Sequence, residues 1–223
     1  MLFRFPRLGE KELEVLGRIE ELQQSLAYAV DQQPRRWQGL LRRSTLARNI
    51  QGSNSIEGYQ VSVEDAMAAA DGEQPVEADA EAWAAVTGYR TALTYVLQLA
   101  GDPYFRWSVE LLRGLHFMML QHDLNRNPGR WRPGPIFVRD DAHGRVVYEG
   151  PDAALVPGLV DELAAALAED TKHPPMVRAA MAHLNLVMIH PFSDGNGRMA
   201  RCLQTLVLAR AGTLASQFSS IEE

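Results

Sequence analysis

Residues 190–201 read HPFSDGNGRMAR, and they decide how the carboxyl-terminal half of the chain is built. Before them, MVRAAMAHLNLVMIH carries helical periodicity, opened by the two prolines at 174 and 175 and stopped by Pro191. After them, a second helix is predicted from about Arg198 to Ala211, ended at Gly212. His190 would then be the last residue of one helix and PFSDGNG a tight loop at the start of the next.

A helix start is an anion site, because its first N–H groups lack partners and the helix dipole favours negative charge. Gly195 and Gly197 let the backbone approach a phosphate with no Cβ in the way. The Gly-Lys-Ser/Thr ending of a P-loop is missing, and no glycine-rich turn follows a strand as a dinucleotide fold requires. Arg198 and Arg201 are three apart, on one helical face, which suits two successive phosphates. Asp194 offers a hard oxygen for Mg²⁺ at the lip of the loop, and His190 titrates near neutral pH and can take a proton from an attacking hydroxyl.

Outward from the loop, helical patterning dominates. Leu13, Leu16, Ile19, Leu22, Leu26 and Ala29 share a stripe across residues 11–30. A second helix runs from about Trp37 into ARNIQGSNSIEG, where Gly58 suits a left-handed position past the helix end. Ser62 and Asp65 read as a capping box, a long helix covers roughly 77–100, and Ser108 caps SVELLRGLHFMMLQH. Asp152 begins another helical stretch. Between 123 and 151 the texture turns to Gly, Pro and β-branched residues, which predicts a β-hairpin with PIFV and RVVY as strands and Gly144 in the turn. The expected fold is mostly α with one hairpin.

Bulk properties narrow the function. A net charge of -6 argues against a nucleic-acid surface as the main role, and no apolar run is long enough to span a membrane. The amino terminus, MLFRFPRLGEKELEVLG, lacks a secretory pattern, so a cytoplasmic protein is expected. The single cysteine, Cys202, reads as a core filler. His183 reads as a packing histidine, and His116, His122, His143 and His173 as solvated or capping groups without metal-ligand spacing. Trp131 stays unassigned between adenine or target contact and packing at the hairpin base.

The stretch from His190 to Arg201 resembles the signature of the Fic family, His-x-Phe-x-Asp/Glu-Gly-Asn-Gly-Arg-x-x-Arg, at every specified position: His190, Phe192, Asp194, Gly195, Asn196, Gly197, Arg198 and Arg201. The resemblance covers roughly Trp83 to Gly212 and implies a Fic-type helical bundle whose hairpin is a flap. It also implies transfer of AMP from ATP to a Ser, Thr or Tyr hydroxyl of a target protein. By position, His190 would be the general base, Asp194 the Mg²⁺ ligand, and Gly195, Asn196 and Gly197 the anion nest. Phe192 would anchor the loop, Arg198 would take the β-phosphate and Arg201 the γ-phosphate. The flap, about 134–149 with Ile136, Phe137 and Val138, would dock a target segment by strand-type pairing. Family members with lysine at the place of Gly197 transfer phosphoryl groups instead, so Gly197 favours adenylyl transfer.

Ser53, Glu57 and Gly58 in GSNSIEGYQ fit the Ser/Thr-x-x-x-Glu-Gly/Asn pattern of the family's inhibitory helix. Glu57 would pair with Arg201 in place of the γ-phosphate, which resembles members that inhibit themselves from an amino-terminal helix. The resulting division is a helical region 1–76 carrying the inhibitory helix (about 44–58), a Fic core 77–212 and a tail 213–223. Two alternatives stay open: a nucleotide-binding regulatory module at rest, and a bifunctional enzyme that also removes AMP. The expected partners are Mg²⁺, ATP and a target protein, with self-modification and a homodimer as open arrangements.

Overall fold

The structure, a computed structural model, describes residues 2–32, 35–140, 143–169 and 172–212. Its elements follow in the order α1 (Glu10–Asp31), α2 (Arg35–Ile56), α3 (Val63–Asp71), α4 (Ala80–Leu99), α5 (Val109–Leu120), β1 (Phe137–Asp140), β2 (Arg145–Glu149), α6 (Val156–Glu169), α7 (Pro175–Ile189) and α8 (Asn196–Arg210). Short 3-10 turns lie at 124–126 and 153–155. The mostly α fold with one hairpin is the one observed.

α8 is the axis of the bundle. Met199, Leu203, Leu206 and Leu208 have no exposed surface, and the helix packs along α7 while α2, α4 and α5 close its other sides. Truncating one such leucine to alanine would cost about 2–5 kcal/mol. The apolar core is continuous from the amino-terminal helices onward: Ala47 and Ile50 of α2 and Ala66 and Ala69 of α3 join the cluster that holds Leu115, Leu186 and Leu206. The last turns of α2 are thereby fixed beside α8.

Local chemistry sets the element ends. Ser62 caps α3, its Oγ accepting the Asp65 N–H at 3.0 Å. The expected reciprocal capping bond is replaced: Asp65, 1% exposed, takes the Ser62 hydroxyl on one oxygen and the Val76 and Glu77 N–H groups on the other. Those bonds hold 76 and 77 in the loop, so α4 starts at Ala80 behind its cap Asp79 and not at 77.

Two other expectations are revised. The stripe on α1 is largely uncovered, with Leu13, Leu22 and Leu26 at 54%, 53% and 44% exposure. Periodicity shows that a face is apolar and not what covers it. His116 is neither solvated nor capping but fully buried, and His173, half-buried, stacks on Phe5 at 3.9 Å.

The hairpin is antiparallel, with Phe137 opposite Glu149 and Val138 opposite Tyr148, and a bulge between Val138 and Arg139. Its first strand starts at Phe137, later than PIFV would place it, although the Ile136 carbonyl still accepts the Gly150 N–H at 3.0 Å. Part of the predicted turn, Asp141 and Ala142, and the tail 213–223 lie outside the described residues.

Candidate active site

His190 stands just past α7 as its cap residue, in the left-handed region at φ 49°, ψ 60°. A non-glycine residue there holds strained backbone that the surroundings must over-determine. They do so through Arg132, itself 4% exposed. The Arg132 Nε donates to the His190 carbonyl at 2.8 Å, and its backbone N–H donates to the Pro191 carbonyl at 2.9 Å. The same guanidinium binds the carbonyls of Gly134 and Pro151 at the hairpin base, tying the hairpin to the histidine corner. Tyr148 of β2 adds a second tie through its hydroxyl to the Met188 carbonyl.

The His190 ring is held in a defined state. Its Nδ1 lies 3.3 Å from the Val187 carbonyl, which can only accept, so Nδ1 carries the proton and Nε2 is left as a base. Burial pushes its pKa below the ordinary histidine value, against the opposing pull of the Val187 carbonyl. The imidazole is therefore neutral at neutral pH.

From Pro191 to Asn196 the loop is closed by its own side chains. Asn196 accepts the Phe192 N–H at 3.0 Å and donates to the Phe192 carbonyl at 2.9 Å. The amide is thus spent on the loop, and what Asn196 offers an anion is its backbone N–H. Phe192 is fully buried and stacks on His116, with centroids 3.7 Å apart and planes 4° from parallel; Trp131 tilts against its other side. Trp131 is therefore a packing residue beside the loop, with the Arg113 guanidinium 5.6 Å from its ring centre. α8 begins after Gly195 (φ 73°) with no side-chain cap, which leaves its first-turn N–H groups open to an anion.

His116 does more than pack. The Gly129 N–H donates to its Nδ1 at 2.8 Å, so the ring proton sits on Nε2, which donates to the Asp194 carbonyl at 2.9 Å. Burial lowers its pKa to about 4, which keeps the ring neutral and this bond intact. His183 accepts or donates at Gln204, 2.8 Å away, as a satisfied packing group.

Asp194 carries the carboxylate at the lip of the loop. One oxygen accepts the Gly195 N–H at 2.7 Å and the other accepts Arg126 Nη1 at 2.7 Å. Burial alone would raise its pKa, but Arg126 and the Gly195 N–H outweigh it and hold the group ionised. Arg126 is shared further with Asp123, Glu81 and the Tyr59 hydroxyl. Among the described residues no three His, Cys, Asp or Glu side chains gather into a metal cage. A single hard carboxylate fits Mg²⁺, which keeps water and phosphate oxygens as its remaining ligands.

The two arginines differ in their surroundings. Arg198 is 1% exposed, its Nε and Nη1 have no hydrogen-bond partner, and its guanidinium lies 5.2 Å from the centre of the Tyr59 ring. Arg201 is engaged by the end of α2 through Nε and Nη2. Its Nε donates to the Ser53 hydroxyl at 2.8 Å, and Nη2 donates to the Ser53 carbonyl at 2.9 Å and to Glu57 Oε1 at 2.7 Å. Ser53 and Glu57 are thus brought to a residue 144 to 148 positions later in the chain. Glu57 also reaches the loop itself: a Cβ on Gly197 would lie 2.2 Å from Glu57 Oε1. Gly58 (φ 87°) turns the chain immediately after it, which a β-carbon would oppose.

The predicted site residues therefore fall into three groups. His190, Asp194, Gly195, Asn196, Gly197, Arg198 and Arg201 form one corner, and Ser53, Glu57 and Gly58 meet it across the α2–α8 contact. Ile136 and Phe137 lie on the hairpin, with Phe137 44% exposed; Val138 pairs with Tyr148 by register. His116, Arg126, Arg132 and Tyr59 escaped the sequence reading. A clue lay in the arginine run of 126–132 beside NPG and in the aromatic directly after Gly58, but neither has a spacing rule.

Known proteins similar to this chain are Fic proteins. The Fic/DOC family profile matches residues 106–208. Protein adenylyltransferase fic-1 of Caenorhabditis briggsae is 31% identical over 134 residues, which is 57% of this chain and 24% of that protein. Protein adenylyltransferase Fic of Nematostella vectensis is 32% identical over 127 residues, 57% of this chain and 29% of its own length. The chain therefore spans well under half of these relatives. Among solved structures, a Fic family protein from Desulfovibrio desulfuricans G20 superposes with a TM-score of 0.75 at 26% identity, covering 96% of this chain and 62% of that one. Fic-1 of Caenorhabditis elegans shares the fold with a TM-score of 0.73 at 24% identity, over 90% of this chain and 57% of its own. The profile match runs through the His190 loop and the fold of the Desulfovibrio Fic family protein is shared nearly end to end, so residues 106–208 carry the likeness to the Fic/DOC family.

Proposed function

We propose that the chain is a protein adenylyltransferase that moves AMP from Mg-ATP to a Ser, Thr or Tyr hydroxyl of a target protein, and that Glu57 holds it inactive at rest. The observation that carries this is a neutral His190 with Nε2 free, next to an uncapped helix start whose first turns hold Arg198 and Arg201. The names of the adenylyltransferase relatives support the same activity.

In the proposed reaction the triphosphate lies along the start of α8. Backbone N–H groups at 196 and 197 receive its oxygens while the Gly195 N–H stays on Asp194, and Arg198 takes the β-phosphate and Arg201 the γ-phosphate. Asp194 would hold Mg²⁺, whose role is to neutralise charge on the phosphate oxygens. His190 Nε2 takes the proton from the target hydroxyl as its oxygen bonds to the α-phosphorus, and the bond to the β-phosphate oxygen breaks to release pyrophosphate. A target segment lies along the hairpin near Ile136, Phe137 and Val138, where strand pairing sets the distance between hydroxyl and His190.

At rest, Glu57 occupies Arg201 and crowds Gly197, so a triphosphate cannot settle in line. A resting protein that binds nucleotide without turnover follows from the same contact. The test supplies ATP labelled at the α- or the γ-phosphate to the Glu57→Gly protein with candidate targets and reads intact mass. Label from the α-position alone, with one AMP added, is expected; γ-label on the target would overturn the reading.

A further inference from the structure

The residue after the glutamate–glycine turn has no part in the reading above, yet it touches two arginines of the site. Tyr59 lies with its ring 5.2 Å from the Arg198 guanidinium and its hydroxyl 3.0 Å from Arg126 Nη1. Its backbone is pinned as well, the N–H donating to the Asn54 carbonyl at 3.1 Å. Arg198 is the fully buried cation of the site, and its Nε and Nη1 donors are unsatisfied. An aromatic face attracts a guanidinium but offers it no oxygen lone pair. Buried donors left in this state cost free energy that an anion would recover.

We propose that Tyr59 is a second inhibitory contact, independent of Glu57, whose ring lids Arg198 and so closes the diphosphate part of the site. The two side chains flank Gly58 and divide the arginine pair between them: Glu57 holds Arg201 and Tyr59 covers Arg198. Removing the glutamate alone leaves the ring in place. A nucleoside diphosphate must displace that ring to reach the Arg198 donors, whatever happens at Arg201.

This inference rests on the nucleotide reading of the site, and its test uses ADP with Mg²⁺, which requires no transfer. Calorimetry compares the full chain as Glu57→Gly, Glu57→Gly/Tyr59→Ala and Glu57→Gly/Tyr59→Phe. Loss of the ring should tighten ADP binding on the order of tenfold over Glu57→Gly, the scale of a desolvated cation–π contact. Phenylalanine keeps the ring and loses only the bond to Arg126, so its affinity should stay at the Glu57→Gly value. Unchanged or weaker binding in the alanine protein overturns the inference, while Glu57→Gly binding ADP normally leaves the nucleotide reading standing. Equal tightening by phenylalanine and alanine would place the effect on the hydroxyl and overturn the lid. If none of the three binds ADP or ATP, both readings fall.

Discussion

The loop 190–201 and the turn 53–59 meet face to face, yet they are held by different physics. The loop is fixed by contacts that no ligand would replace: Asn196 on the Phe192 backbone, His116 on the Asp194 carbonyl, Arg132 on His190 and Pro191. The turn, at the end of a helix that the apolar core places beside α8, meets α8 through the two arginines, with Glu57 and Ser53 on Arg201 and Tyr59 over Arg198. A triphosphate offers the same arginines what Glu57 offers them. In the proposed function one region is a scaffold and the other a stopper, and substitutions in the two should move different observables.

The largest effect is expected in the loop, at the side chain proposed as the base. His190→Ala should lower transfer by ~10² to 10⁴ in a Glu57→Gly background, with Mg-ATP affinity retained, because in the proposed reaction the histidine acts on the hydroxyl and not on the nucleotide. Calorimetry beside a transfer assay separates the two quantities. Lost affinity with transfer intact would make His190 part of the binding scaffold.

On the stopper side, Glu57→Gly should raise self-modification on the order of 10², the scale of restoring a reacting group misplaced by about 1 Å. Arg201→Ala added to it should remove most of the gain. Wild-type rates in Glu57→Gly, with ATP, Mg²⁺ and a competent target present, would mean that the ion pair is only a helix-end contact.

These contacts were unequally legible in the sequence. The loop could be read because its base, acid, glycines and arginines are contiguous, and the helix-start argument needs only local order. The Glu57–Arg201 meeting was reached through the family pattern, since nothing in local spacing joins residues 144 positions apart. His116, Arg126 and Arg132 were illegible because each acts on a backbone carbonyl or a carboxylate brought to it by the fold. A lone buried histidine among apolar residues has no periodic signature. The uncovered face of α1 shows the same limit from the other side: its period was clear and its covering was not.

The scaffold should reveal itself through pH. His116 titrates at about 4 in the folded protein against an ordinary value of 6.5, so between those limits the unfolded chain binds more protons. Stability should then rise with pH through that window, which means loss on acidification from 6.5 toward 4 and no further contribution below. The size is about 3 kcal/mol, and His116→Gln should flatten this part of the profile. Denaturant midpoints measured at pH 4.5 and 7 check it; equal slopes for both proteins would remove His116 from the scaffold.

The smallest expected effect sharpens the division within the stopper itself. Ser53 is fully buried and gives Arg201 two acceptors, the hydroxyl on Nε and the carbonyl on Nη2. Ser53→Ala deletes only the first. A hydrogen bond to a charged group contributes about 1.5–3 kcal/mol, but the carbonyl and Glu57 still hold the guanidinium, so the lower end applies. That corresponds to roughly a tenfold shift toward the open arrangement and a gain in self-modification well below that of Glu57→Gly. The two substitutions touch one arginine and should be less than additive, since Ser53→Ala has little left to release once the carboxylate is gone. Full additivity, or a Ser53→Ala gain equal to that of Glu57→Gly, would show that the carboxylate is not the stopper and that the end of α2 acts on α8 by packing.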